Sequence, residues 1–202
     1  MLNFRNNRPL QLMSAWLVIF WIWMAIEPKY RHDWMLENML VIIYAIILVL
    51  TYPRFKFSNR SYFMFTIFMT LHLIGAHYTY AETPLGYWLQ DWFGWQRNHF
   101  DRIVHFLFGL LIAYPIWELA TRAAHIKASW SYFTVTLLIL AMGSVFEIIE
   151  MWAALIVSPE LGDAYLGTQG DIWDAQQDMF LATVGGAIAM VVTAIIRPAK
   201  VS

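Results

Sequence analysis

The sequence predicts an all-α, polytopic membrane protein with six transmembrane helices and one interfacial helix in the third loop. Three observations carry that prediction. Of 202 residues, 60% are hydrophobic and only 13% are charged, against roughly a quarter charged in a soluble domain. Six separate stretches each approach the ~20 apolar residues needed to cross a bilayer. Together they occupy most of residues 1–202, so the chain reads as a single membrane domain. Cysteine is absent, which excludes disulfides, thiolate nucleophiles and sulfur-ligated metals.

The first span, 10–28, follows Arg5 and Arg8 and carries Trp16, Trp21 and Trp23. Its apolar run is long and lacks a small-residue cleavage pattern before Glu27-Pro28, so it reads as an uncleaved anchor. The second span, 34–52, leads into the short basic connection Pro53–Arg60, an ordinary cytoplasmic tether. The third, 61–80, contains His72 and His77. Behind Pro84, the residues Leu85, Trp88, Leu89 and Trp92 recur at helical spacing, with Tyr87, Phe93 and Trp95 nearby. Such a segment lies at headgroup level, either as an aromatic belt or as a platform that guides a lipid-like substrate. The fourth span is 101–121, the fifth 130–157 and the sixth 178–196. In the last, Ala182, Gly185, Gly186 and Ala189 form a small-residue face suited to close helix packing.

Orientation follows from Lys and Arg in the short connections. The amino terminus, second loop, fourth loop and carboxyl terminus hold nine, and the first, third and fifth loops with their flanks hold four. Both termini are therefore expected in the cytoplasm. On that topology 13 acids and four basic residues lie toward the outside, a formal −9. Nine basic residues and Glu118 lie inside, a formal +8. The net charge of −1 is thus the cancellation of two opposed faces, and the outer one is more acidic than insertion requires. Nothing in it suggests nucleic acid.

The polar residues inside the spans fall at one depth. His72 and His77 lie late in the outward-running third helix, His99, Asp101 and His105 open the fourth, Glu147 and Glu150 end the fifth, and Asp171, Asp174 and Asp178 precede or begin the sixth. Asp101 and His105 are four apart and Glu147 and Glu150 three apart, spacings that share a helix face. The three aspartates share one only if the sixth helix begins as early as Gly170. From Glu147 to Asp178 there are seven acids and no Lys or Arg. Intramembrane charge is costly and functional by default. Such carboxylates hold protons, face water or bind a metal ion. Asp101, His105, Glu150 and Asp174 supply the nitrogen and oxygen donors that suit divalent zinc, manganese or iron, with Glu147 and Asp178 left to move protons. His72, His77, His99 and Asp171 are additional candidates. His72 alone also reads as a helix-packing hydrogen-bonder, His77 as an interfacial residue, and Glu118 as the partner of Arg122 one turn on.

At these residues a family resemblance appears. The runs Asn98-His99-Phe100-Asp101-Arg102-Ile103-Val104-His105-Phe106, Phe146-Glu147-Ile148-Ile149-Glu150 and Gly167 to Met179 resemble the YjdF family of bacterial inner-membrane proteins, over essentially the whole chain. The resemblance implies a multi-pass inner-membrane protein and assigns no activity. More distantly, Asp101, His105, the later acids and Gly185-Gly186 are similar to VanZ-like membrane proteins. Arg102 stands where that pattern has Lys and Ala182 where it has Asn, so glycopeptide resistance is not carried over.

Two functions of different kinds fit these residues. One is a metal-dependent hydrolase or transferase acting at the periplasmic side on a lipid-linked or small-molecule substrate, with membrane lipid as its surroundings. The other is a non-enzymatic protein that binds or transports a cation, a proton or a cationic amphiphile. No nucleophile motif, phosphate-cradling loop or dinucleotide fingerprint is visible in the sequence.

Overall fold

A computed structural model describes residues 3–156, 162 and 165–197. Glu160, Asp163, Lys200 and the last residue of the fifth expected span lie outside the described residues. The helices are α1 (Arg8–Met24), α2 (Arg31–Thr51), α3 (Asn59–Tyr78), α4 (Pro84–Phe93), α5 (Phe100–Arg122), α6 (Ala128–Ile156) and α7 (Asp174–Ile196).

The helix ends follow local chemistry. Asn7 accepts from the Leu10 amide at 3.3 Å and caps α1, while its own amide donates to Asn59 Oδ1 at 2.7 Å and ties the start of α1 to the start of α3. α1 stops at Met24, short of the expected residue 28. Glu27 takes a positive φ of 49°, a turn conformation before Pro28 that no helix can continue through. Thr83 caps α4, whose second end is closed by Gly94 at φ 66°, the left-handed position glycine fills most cheaply. Leu85, Trp88 and Trp92 on α4 are exposed. An amphipathic helix with one aromatic face therefore stands where the sequence indicated.

α2, α5, α6 and α7 are each long and apolar enough to cross a membrane. α1 is only 17 residues long, and α3 dilutes its apolar run with Ser61, Thr66, Thr70, His72 and His77. The bundle is apolar outside as well as inside. Ile42, Ile43, Ile46 and Ile47 on α2 and Val145, Ile148, Ile149 and Trp152 on α6 are exposed, a surface that suits lipid rather than water. α5 sits at the centre and packs on α3, α6 and α7, while α1 and α2 lean on α3.

The tightest contact is between α5 and α7. A Cβ on Gly109 would stand 1.8 Å from the Ala182 carbonyl oxygen, and one on Gly185 would stand 2.1 Å from that of Phe106. Backbone meets backbone at both places. Gly186 instead faces Ile139 of α6. The small-residue face of the last helix is thus split between two neighbours, and Gly109 is the partner the sequence did not single out.

At the opposite end of α5 from Asp101, Glu118 is buried. It accepts from the Ser58 amide at 3.0 Å and the Ser61 hydroxyl at 2.5 Å, and pairs with Arg122. The expected pairing with Arg122 is present, and the carboxylate also anchors the first turn of α3. Glu118→Ala should destabilise the protein by about 3 kcal/mol, because a buried charge network loses its centre. Thermal unfolding in detergent micelles reads this, and an unchanged melting temperature would contradict it.

Candidate functional site

The site forms where one end of α2, α3, α5, α6 and α7 meets. Asp101 and His105 are one turn apart on α5, and Asp178 comes from the facing turn of α7. One donor atom from each lies within 4.8 Å of the other two. Ligands about 2.1 Å from one ion stand at most about 4.2 Å apart, so closing on a cation needs a movement of several tenths of an ångström. His105 Nε2 lies 3.5 Å from Asp101 Oδ1 and 3.6 Å from Glu147 Oε1 on α6. Asp178 is 2% exposed. Its Oδ1 and Glu147 Oε1 accept no hydrogen bond among the described residues. Buried carboxylate oxygens without donors are rare in folded proteins and call for an explanation.

Asp174 and Asp171 have a different environment. Arg97 Nη1 donates to Asp174 Oδ1 at 2.7 Å, and Arg102 Nη2 donates to Asp171 Oδ2 at 2.5 Å and to Asp174 Oδ1 at 3.1 Å. The run of acids without basic residues after α6 is therefore neutralised in part by arginines from before and within α5. α7 begins at Asp174, so Asp174 and Asp178 share its face while Asp171 precedes it. The Trp173 amide, with Arg102 beside it, holds the Asp171 carboxyl below the usual carboxylate range. Its stabilising contribution is accordingly present above about pH 4 and is lost as pH falls through the depressed value.

The same loop is fastened by Gln169, whose side-chain amide donates to the Asn98 carbonyl at 2.9 Å and accepts from the Asn98 amide at 3.1 Å. Arg97 adds a bond to the Thr168 carbonyl at 3.0 Å. Arg102→Ala should release this loop while leaving α5 and α7 docked. Hydrogen exchange at residues 166–173 should rise at least about tenfold, since two charge-assisted hydrogen bonds, to Asp171 and Asp174, are lost. Unchanged protection would show that Gln169 and Arg97 suffice.

Glu150 lines the cavity wall beside Asp101 without a donor atom in the Asp101, His105 and Asp178 group. His72 is 1% exposed, with Nδ1 2.6 Å from the Tyr80 hydroxyl and Nε2 3.2 Å from the Glu37 carbonyl oxygen. A backbone carbonyl only accepts, so Nε2 carries a proton and donates to Glu37. His77 bonds the Met24 carbonyl at 2.9 Å and locks the ends of α3 and α1 together. His99 stacks edge-on with Trp95 and accepts from Arg102 at 3.5 Å. Burial and the two arginines push its pKa down.

Sequence reasoning passed over Glu37 and Asp33, both buried at the start of α2, and Tyr80. A carboxylate inside an otherwise apolar span is the signal that would have found Glu37.

Two cavities meet at the cluster. One, of about 560 Å3, is lined by Asp101, Glu147, Glu150, Asp171, Asp174 and Asp178. The other, of about 410 Å3, runs from His72, Tyr80, Asp101, His105 and Glu150 down between apolar walls.

A family model described as a predicted membrane protein, DUF2238, matches residues 9–199. The chain belongs to this family. It is also 33% identical over 190 residues to the inner membrane protein YjdF of Escherichia coli (strain K12), an alignment covering 93% of this chain and 90% of that one. The YjdF-family resemblance of the sequence is thereby borne out. No solved structure matches.

Proposed function

We propose that this is a six-span inner-membrane protein, a single domain with both termini in the cytoplasm, whose periplasmic end holds a divalent cation and hydrolyses or transfers a group on a lipid-linked or small-molecule substrate. The observation that carries the reading is the convergence of Asp101, His105 and Asp178 around carboxylate oxygens that lack donors. A cation placed there would satisfy Asp178 Oδ1, hold a water and bring the pKa of that water toward neutrality. Glu147 Oε1, close to His105 and without a hydrogen bond, is positioned to take the proton. Asp174 and Asp171 serve in this reading to hold the loop over the site, engaged as they are by Arg97 and Arg102. Glu150 faces the substrate space.

A through-path for cations or protons would have to cross apolar walls. Beyond the cluster the second cavity is walled by Phe68, Met69, Val104, Phe108 and Ile112. Glu118, 17 residues and about 25 Å further along α5, is occupied by Ser58, Ser61 and Arg122.

The test is metal analysis of protein purified without chelators. Stoichiometric zinc, manganese or iron is expected. Substoichiometric metal that supplementation does not raise would overturn the proposal.

A further inference from the structure

The acidic cavity and the apolar cavity adjoin, sharing Asp101 and Glu150 in their linings. The apolar one is floored by α3 and α5 through Phe68, Met69, Val104 and Phe108, and walled by α2 through Leu40 and Tyr44 and by α6 through Leu138, Met142 and Phe146. Its volume of about 410 Å3 lies within the ~300–1,000 Å3 of ordinary ligand pockets. Along α6 the lining runs from Glu150 to Leu138, 12 residues or about 18 Å of helix. That depth is close to the ~15 Å of hydrocarbon in one leaflet.

The side toward the bilayer is the seam between α2 and α6. α2 rests chiefly on α3, and α6 on α5 and α7. Along the α6 wall Leu138, Met142, Val145 and Ile149 are exposed. Water finds no partners among these four side chains, and the polar groups of this cavity are Tyr44 on α2 and the residues at its outer end. What a membrane supplies at this depth is hydrocarbon. The carboxylates and imidazoles, by contrast, are gathered at the outer end, where a lipid carries its head.

We propose that this slot takes the hydrocarbon chain of a membrane lipid, entering sideways between α2 and α6, with the lipid's polar head in the acidic cavity beside Asp101, His105 and Asp178. The substrate of the site is then an amphiphile from the outer leaflet, not a water-soluble compound. This rests on the reading of the acidic cluster as the reaction centre.

The test uses the full chain in lipid nanodiscs and a palmitate analogue carrying a mid-chain diazirine, with photo-crosslinks mapped by mass spectrometry. Val104 is 4% and Ile112 5% exposed, so a lipid lying on the outside of the bundle does not reach them. Crosslinks enriched at Val104, Phe108 and Ile112, which line this cavity, are expected. Ala141→Trp, on the exposed α6 wall of the slot, should reduce them at least fivefold and leave the bound metal unchanged. Asp178→Asn should do the converse, removing metal and leaving the chain crosslinks.

Crosslinks spread over the exposed faces of α2 and α6, or unaffected by Ala141→Trp, would overturn the slot while leaving the cation site standing. Slot crosslinks in a protein that binds no metal would instead overturn the reaction centre. Competition by a diacyl phospholipid or by a polyprenyl phosphate tells which lipid supplies the chain. Suppression by neither counts against the slot.

Discussion

Asp178→Asn should lower divalent-cation affinity at least 100-fold, with the folded structure retained. Loss of a group that merely orients a ligand costs 10–100-fold in metal affinity, and Asp178 is assigned as a ligand itself. Asparagine has the same shape, so the close contact of α5 and α7 around Gly109 and Gly185 is kept. The substitution removes one negative charge from a buried group of acids and leaves His105 and Asp101 one turn apart on α5. His105→Ala should have a comparable effect. Glu150→Ala and Asp174→Asn should retain the cation, because Glu150 has no donor atom in the convergent group and Asp174 is held by two guanidiniums. Isothermal titration with zinc and manganese, beside metal analysis of each purified variant, separates these outcomes. Equal metal in wild type, His105→Ala and Asp178→Asn would remove the proposed ligand set.

Gly109→Val should be the most damaging single substitution for the fold. The first added carbon alone would lie 1.8 Å from the Ala182 carbonyl oxygen and 2.7 Å from the Gly186 nitrogen. Both are backbone atoms and no side chain can rotate away. α5 and α7 must separate, at a cost at or above the ~3 kcal/mol upper end of ordinary overpacking. Separation also carries Asp101 and His105 away from Asp178, so metal and melting temperature should fall together. Gly143→Ala is the contrasting case, since its added carbon would meet only Ala182 Cβ at 3.8 Å and Met179 Cα at 3.9 Å, ordinary contact distances. A Gly109→Val protein with wild-type melting temperature would show that the two helices are not in register as described.

Composition alone made the helical membrane class legible, because few charges and long apolar runs have few other meanings. Helix ends were legible where caps and breakers mark them, as at Asn7, Thr83 and Gly94. α1 ends four residues before the expected boundary, because Ile26 and Glu27 look helical until Pro28 is weighed. The gathering of acids and imidazoles at one end was also legible, since it needs only the alternation of helix directions. The division of labour among them was not. Asp174 and Asp178 are four residues apart on one helix, and only their neighbours distinguish them. Asp174 meets Arg97 and Arg102, while Asp178 turns toward His105. Those partners lie more than seventy residues back along the chain, beyond what spacing rules reach. The apolar slot was invisible for the same reason, being a gap between helices rather than a property of any one.

The close approach of α5 and α7 also governs when the site comes into being. Translation delivers helices in chain order, with earlier segments folding first. α1 to α3 can settle against one another, and α5 can join them, while the carboxylate that completes the cluster is still unmade. Until α7 has entered the membrane and seated its glycines against Phe106 and Gly109, Asp101 and His105 face an unfinished wall. A cation bound there is therefore a certificate of completed assembly. Chains truncated before Asp178 should remain metal-free whatever their other helices do.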